Sequence, residues 1–310
     1  MKEAKAFSPA AISSFFQIHD TQKGKLIADL EKVGASGGGF GLQKGVLTKL
    51  KLQEAKKNTI EVSINSKPTI EAKTSKKVIE TLLARTRQKY EVTVEHQIEV
   101  PIGAGFGTSA CGALTAGLAF KEALALPLTF NQIGKIAHVA EIQCQTGLGT
   151  VSALASTGGC VLVVQPGAPG NCQIDRIPIT PDYMIVAGFF KSNIPKKTIF
   201  SSPEKKREIS RHGKKTLEAI LRNPSLKNFL DCCWNFAQNS GFATENTREL
   251  VELAKKAGAV GAAQNMIGEV VHAVVHEDNA NSVAEAFKQV LHPEQVIVSK
   301  IDFQGARLVK

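Results

Sequence analysis

The stretch Pro101-Ile102-Gly103-Ala104-Gly105-Phe106-Gly107-Thr108-Ser109 decides how this chain is read. Residues 90–100 before it alternate apolar and polar and predict a strand; residues 108–119 after it carry small side chains at three- and four-residue spacing and predict a closely packed helix. In a strand–glycine turn–helix unit the glycines let the backbone close on a ligand. The helix start adds unpaired N–H groups and the positive end of its dipole. Phosphate is the natural guest, and the hydroxyls of Thr108 and Ser109 suit phosphate or a magnesium ion. No Gly-Lys-Ser/Thr follows, so this is not a Walker A loop, and the downstream acid of a dinucleotide fingerprint is missing. A tight turn shaped only for packing is the alternative.

Working outward, residues 2–16 read as an extended segment broken at Ser8-Pro9, residues 34–41 as a glycine loop, and residues 46–52 and 59–64 as strands. Residues 75–88 read as a helix. Residues 129–143 predict a second helix, with Thr129 and Gln132 spaced as a capping box. Residues 146–159 read as a third small-residue segment and 160–164 as a buried strand. The turn-rich joint Pro166-Gly167-Ala168-Pro169-Gly170 suggests a boundary between domains at 1–172 and 173–310. Beyond it come a strand (183–190), a loop (191–198), helices (203–221, 226–240, 245–257), a glycine-spaced segment (258–268), a strand (270–275), a helix (280–291) and a last strand (296–302). That order predicts an α+β protein: a β-rich N-terminal domain with the phosphate loop, then a ferredoxin-like domain.

Composition narrows the function. Thirty-eight Lys and Arg against 28 Asp and Glu give a net charge of +10, with hydrophobic residues at 43 %. The lysine pairs are scattered rather than gathered in one stripe, and there is one Trp. A nucleic-acid partner is therefore not expected, and the charge is read as attraction for anionic small molecules. No leader-like or membrane-length apolar run is present, so a cytoplasmic, non-membrane protein is expected. Six cysteines without CxxC spacing read as reduced thiols.

Three further sets are candidates to converge on the loop. His138 and Glu141 lie three apart and share a helix face, where the carboxylate suits Mg²⁺. Gly147-Leu148-Gly149-Thr150 opens a possible third helix, and residues 258–268 form a second glycine-rich segment ahead of a strand. The quoted loop followed by Ala110-Cys111, together with this second segment, resembles the GHMP small-molecule kinases. Within that superfamily the resemblance is to archaeal pantoate kinases, through Ser13 to Asp20, His138 to Glu141, Thr146 to Val151, Ser201 to Lys205 and Asn265 to Glu269 in the same order.

The resemblance implies ATP and Mg²⁺ as cofactors and transfer of the γ-phosphoryl group to the 4-hydroxyl of (R)-pantoate, or of another, mevalonate-type, hydroxy acid. A non-catalytic nucleotide-binding paralogue is a further reading, and a homodimer is left open. Carried over, Pro101, Gly103, Ala104, Gly105, Phe106, Gly107, Thr108 and Ser109 would bind the nucleotide, and Ser109 and Glu141 the metal. Ser109, Glu141, His138 and Thr150 would form the catalytic set, and Ala35, Ser36, His138 and Lys196 would meet the acceptor. The chain departs from the pattern where Thr150 stands in place of an acidic residue. It departs again where Ala35-Ser36, Val163 and Pro195-Lys196 replace Ser-Arg, Arg and Ser-Thr, and a lysine is not a bidentate arginine.

Overall fold

The computed structural model describes residues 1–156, 158–190 and 202–310. Its larger sheet is built on two long antiparallel strands, β1 (Lys2–His19) and β4 (Gly34–Glu54), which are linked through the small hairpin β2 (Thr21–Gln22) and β3 (Lys25–Leu26). β5 (Thr59–Ile64), β6 (Lys67–Pro68) and β7 (Tyr90–Ile98) extend it on one side, with β5 and β7 parallel. β8 (Cys160–Gln165) pairs with the start of β4, and β9 (Gln173–Ile177) with β8. The larger sheet thus runs past residue 172, and it recovers β14 (Arg307–Val309) from the far end of the chain alongside β1.

The second sheet holds β10 (Tyr183–Phe189), β11 (Gly261–Gln264), β12 (Val270–His276) and β13 (Val296–Lys300), ordered β11-β12-β10-β13 and antiparallel throughout. Helices α5 (Pro203–Arg222), α6 (Leu226–Asn239) and α7 (Glu245–Lys256) lie between β10 and β11 in sequence, and α8 (Ala280–Lys288) between β12 and β13. This is the βαββαβ plan of the expected ferredoxin-like unit.

The N-terminal helices are α1 (Lys73–Leu83), α2 (Thr108–Ala123), α3 (Phe130–Gln143) and the short α4 (Thr150–Leu154). The α2 side chains are small and buried almost all round, as a helix pressed on a sheet from one side and on α1 and α3 from the other requires. The capping box of α3 forms as predicted: the Gln132 amide donates to Thr129 Oγ1 at 3.3 Å and the Thr129 amide to Gln132 Oε1 at 2.8 Å. On the other face of the larger sheet, Phe15 and Phe40 pack against Phe229 of α6, and one apolar core joins the two sheets.

Four expectations are corrected. Residues 34–41 are strand, not loop. The pairing slips twice, with Gln43 and Lys44 extra in β4 opposite Pro9 and Ala10 and Ser14 extra in β1 between Ser13 and Phe15, and the β1 carbonyls at Ile12 and Phe15 occupy the space that side chains at Gly39 and Gly37 would need. These glycines serve close strand crossing rather than a turn. The second glycine-rich segment is half strand as well, since β11 takes its middle, and only residues 265–269 remain as the loop into β12. The helix expected over 75–88 stops at Leu83, and the one expected to open at Gly147-Leu148-Gly149-Thr150 is only the five residues of α4.

Candidate active site

The phosphate-loop candidate has the backbone its sequence calls for. Gly103, Gly105 and Gly107 have φ of 82°, 84° and 62°, and Gly107 is the N-cap of α2, where no side chain caps the helix. The first-turn N–H groups of a 16-residue helix are thus left to a ligand. The loop hangs on β1: the Ala11 amide donates to the Phe106 carbonyl at 3.0 Å, and the Phe106 ring is buried below it.

Behind the loop sits a cluster of hydroxyls. Thr74 Oγ1, at the start of α1, lies 3.0 Å from Ser109 Oγ and 2.9 Å from Thr146 Oγ1. Thr74 belongs to no sequence motif, and nothing in its spacing links it to residues 109 and 146. Glu141 is 2 % exposed, and a Cβ at Gly147 would stand 2.7 and 2.8 Å from its carboxylate oxygens, so only glycine lets the 146–149 turn close on it. Its charge is felt at Cys111, whose thiol is pushed up to about 12 first by burial and further by Glu141. Cys111 is therefore an inert thiol.

Thr146 Oγ1 also donates to the Glu141 backbone carbonyl at 3.4 Å, tying the hydroxyl cluster to Glu141, and among the described residues no cluster of three or more His, Cys, Asp or Glu forms a resident metal cage. The set fits a magnesium ion that arrives with its own phosphate oxygens and needs only one or two protein carboxylates.

The other predicted residues divide. The Thr150 methyl would sit 2.9 Å from a Cβ at Gly107, and Gly149 packs on the Ala35 backbone, so Ala35, Thr150 and the phosphate loop do come together. Ser36 does not join them. In β4, Ala35 pairs with Ile18 and Ser36 with Gln17, so the two neighbours face opposite sides of the sheet. Ser36 Oγ donates to Gln17 Oε1 at 3.2 Å and accepts from His19 Nε2–H at 3.0 Å, a closed network on the side away from Ala35. Val163 pairs with Gly37 and shares the Ala35 face. His138 is 1 % exposed, and its Nε2–H donates to the Val33 carbonyl at 2.9 Å, anchoring the entry to β4. Burial, the main cause, lowers its pKa and keeps the ring neutral. Asp20 is paired with Lys206 of α5 at 3.0 Å. Lys196 lies outside the described residues.

The second glycine segment reaches the same place. A Cβ at Gly105 would stand 3.3 Å from the Asn265 Cβ, and one at Gly268 3.6 Å from the Ala104 carbonyl. The phosphate loop and the 265–268 turn are thus in contact across the two lobes.

Residues 73–159 match the family model of the GHMP kinase N-terminal domain, the segment that holds the phosphate loop, Thr74 and Glu141. A solved structure described as a phosphotransferase related to the CoA biosynthesis pathway superposes with a TM-score of 0.83 at 26 % identity, over 99 % of this chain and 98 % of its own. The chain belongs to the GHMP kinase superfamily. The homoserine kinase of Cytophaga hutchinsonii shares the fold of this superfamily member, with a TM-score of 0.72 at 15 % identity, over 100 % of this chain and 98 % of its own. Among curated relatives, the pantoate kinase of Methanocaldococcus jannaschii is 29 % identical over 91 % of this chain and 96 % of its own length. The mevalonate kinase of Thermococcus sibiricus is 25 % identical over 75 % and 74 %. Among the described residues no helix is long and apolar enough to cross a membrane.

Proposed function

We propose that this GHMP kinase is an ATP-dependent, magnesium-requiring pantoate kinase that forms 4-phosphopantoate. The observation that carries the reading is the extent of likeness: the archaeal pantoate kinase aligns along 96 % of its length, the mevalonate kinase along 74 %. In this reading the backbone of residues 103–107 and the first turn of α2 hold the triphosphate. Ser109 and Glu141 would hold magnesium, which would supply charge neutralisation of the triphosphate. Thr74 fixes the Ser109 hydroxyl. The acceptor lies on the Ala35 face of β4, near Thr150.

Phosphoryl transfer of this kind needs positioning and electrostatic stabilisation more than covalent help, which suits a site with no acidic residue at position 150. The test is purified protein with ATP, Mg²⁺ and (R)-pantoate, followed by ADP release and product mass. A mass gain of one phosphoryl group is expected, and a folded protein that turns over no pantoate overturns the reading.

A second acceptor is favoured by one observation. Val163, on the Ala35 face, stands where the pantoate-kinase pattern has an arginine, so a different hydroxy acid, of mevalonate type, belongs in the same assay as a competitor.

A further inference from the structure

We propose that Asn265 is a nucleotide-binding residue whose side-chain amide donates to a phosphate oxygen of ATP, and that Ser14 and His272 are the residues that position it. The proposal rests on the kinase reading above. Asn265, His272 and Ser14 are all fully buried, and they belong to three separate parts of the chain: the 265–269 turn, β12 and β1. His272 Nδ1 lies 2.7 Å from Asn265 Oδ1, and His272 Nε2 lies 3.0 Å from Ser14 Oγ. A carbonyl oxygen only accepts, so the ring carries its proton on Nδ1 and donates it to Asn265, while bare Nε2 accepts from the Ser14 hydroxyl. Burial lowers the His272 pKa to about 3, which keeps this neutral tautomer in place.

Ser14 is the extra residue of the β1 bulge between Ser13 and Phe15, and the bulge aims it at β12. Backbone bonds fix the rest of the turn: the Met266 amide donates to the Ser13 carbonyl and the Asn265 amide to the Val270 carbonyl, each at 2.7 Å. Every polar group that locates Asn265 is therefore satisfied, and its Nδ2 is left with no acceptor among the described residues. Buried donors are seldom abandoned in this way unless something else supplies the acceptor. The neighbour of Asn265 is Gly105 of the phosphate loop. Phosphate oxygens are the acceptors that the kinase reading brings to that loop, and an amide N–H to a charged oxygen is a strong bond.

The test is direct binding of the ATP–Mg²⁺ complex by calorimetry, with adenosine as the phosphate-free control and a thermal melt of each variant. Asn265→Asp keeps the oxygen that accepts from His272 but replaces the donor with a negative charge. Asn265→Ala should weaken ATP binding about ten- to a hundredfold while adenosine binding is unchanged. Asn265→Asp should be worse than the alanine variant for ATP. If Asn265 only holds His272, the aspartate variant should recover wild-type affinity, and that result overturns the proposal. So does equal weakening of ATP and adenosine, or ATP affinity unaltered by either change, as a buried water on Nδ2 would give. Should the aspartate variant not fold, Asn265→Leu, close in volume and uncharged, reads the same ATP-against-adenosine difference. Wild-type protein that binds no ATP at all would instead remove the kinase reading itself.

Discussion

In the proposed kinase Glu141 and Ser109 carry the metal chemistry. Glu141→Gln keeps the shape against Gly147 and removes the charge, so we expect turnover to fall by about two orders of magnitude and the magnesium requirement to rise. A magnesium titration of the steady-state rate checks both, and an unchanged magnesium dependence would exclude Glu141 from the metal. The buried histidines make a separate prediction about pH. Burial lowers His96 to about 4 and His272 to about 3, so between those values and 6.5 the unfolded chain binds more protons than the folded one. Stability from these rings is whole above pH 6.5 and drains away as the pH falls toward 4 and then 3. Denaturant midpoints should drop over that window, and His96→Gln should flatten the upper part of it.

At the scale of elements, much was legible. The strand–glycine turn–helix unit, the α3 capping box and the order of the C-terminal helices and strands follow from local patterns of apolar spacing and turn residues. Thr129→Ala should cost about 1 kcal/mol, read as a shift in the urea midpoint. The run at 34–41 misled because glycine has two uses, turning a chain and letting another chain pass close. Which use applies depends on a bulge in a strand twenty residues away. Gly39→Ala, which forces a Cβ onto the Ile12 carbonyl, is expected to destabilise by roughly 2–3 kcal/mol. A loop at this position would tolerate alanine with no measurable change, so the midpoint decides between the two uses. Ala35 and Ser36 likewise look like one acceptor-lining pair in sequence, yet strand pleating sends them to opposite faces.

Across the whole molecule, the two sheets share a core in which Phe229 of α6 meets Phe15 and Phe40 of the larger sheet with ring centroids 6.1 and 5.5 Å apart. Phe229→Ala should cost roughly 3–5 kcal/mol. It should do so in one transition, with Trp234 fluorescence from the C-terminal lobe and far-UV circular dichroism falling together. Two separated transitions would mean that the lobes fold independently. By itself the sequence determined the α+β class and the strand–glycine turn–helix unit, because those rest on short-range spacing that any neighbouring residues must obey, and it pointed to the superfamily through the resemblance of its ordered motifs. Only the tertiary structure decided that Thr74 backs Ser109, that His138 serves a backbone carbonyl, and that Asn265 from the second lobe abuts Gly105. Those contacts join residues dozens to more than a hundred positions apart, and they exist only once β1, bulged at Ser14, has docked both glycine loops, one on its Ala11 amide and the other on its Ser13 carbonyl.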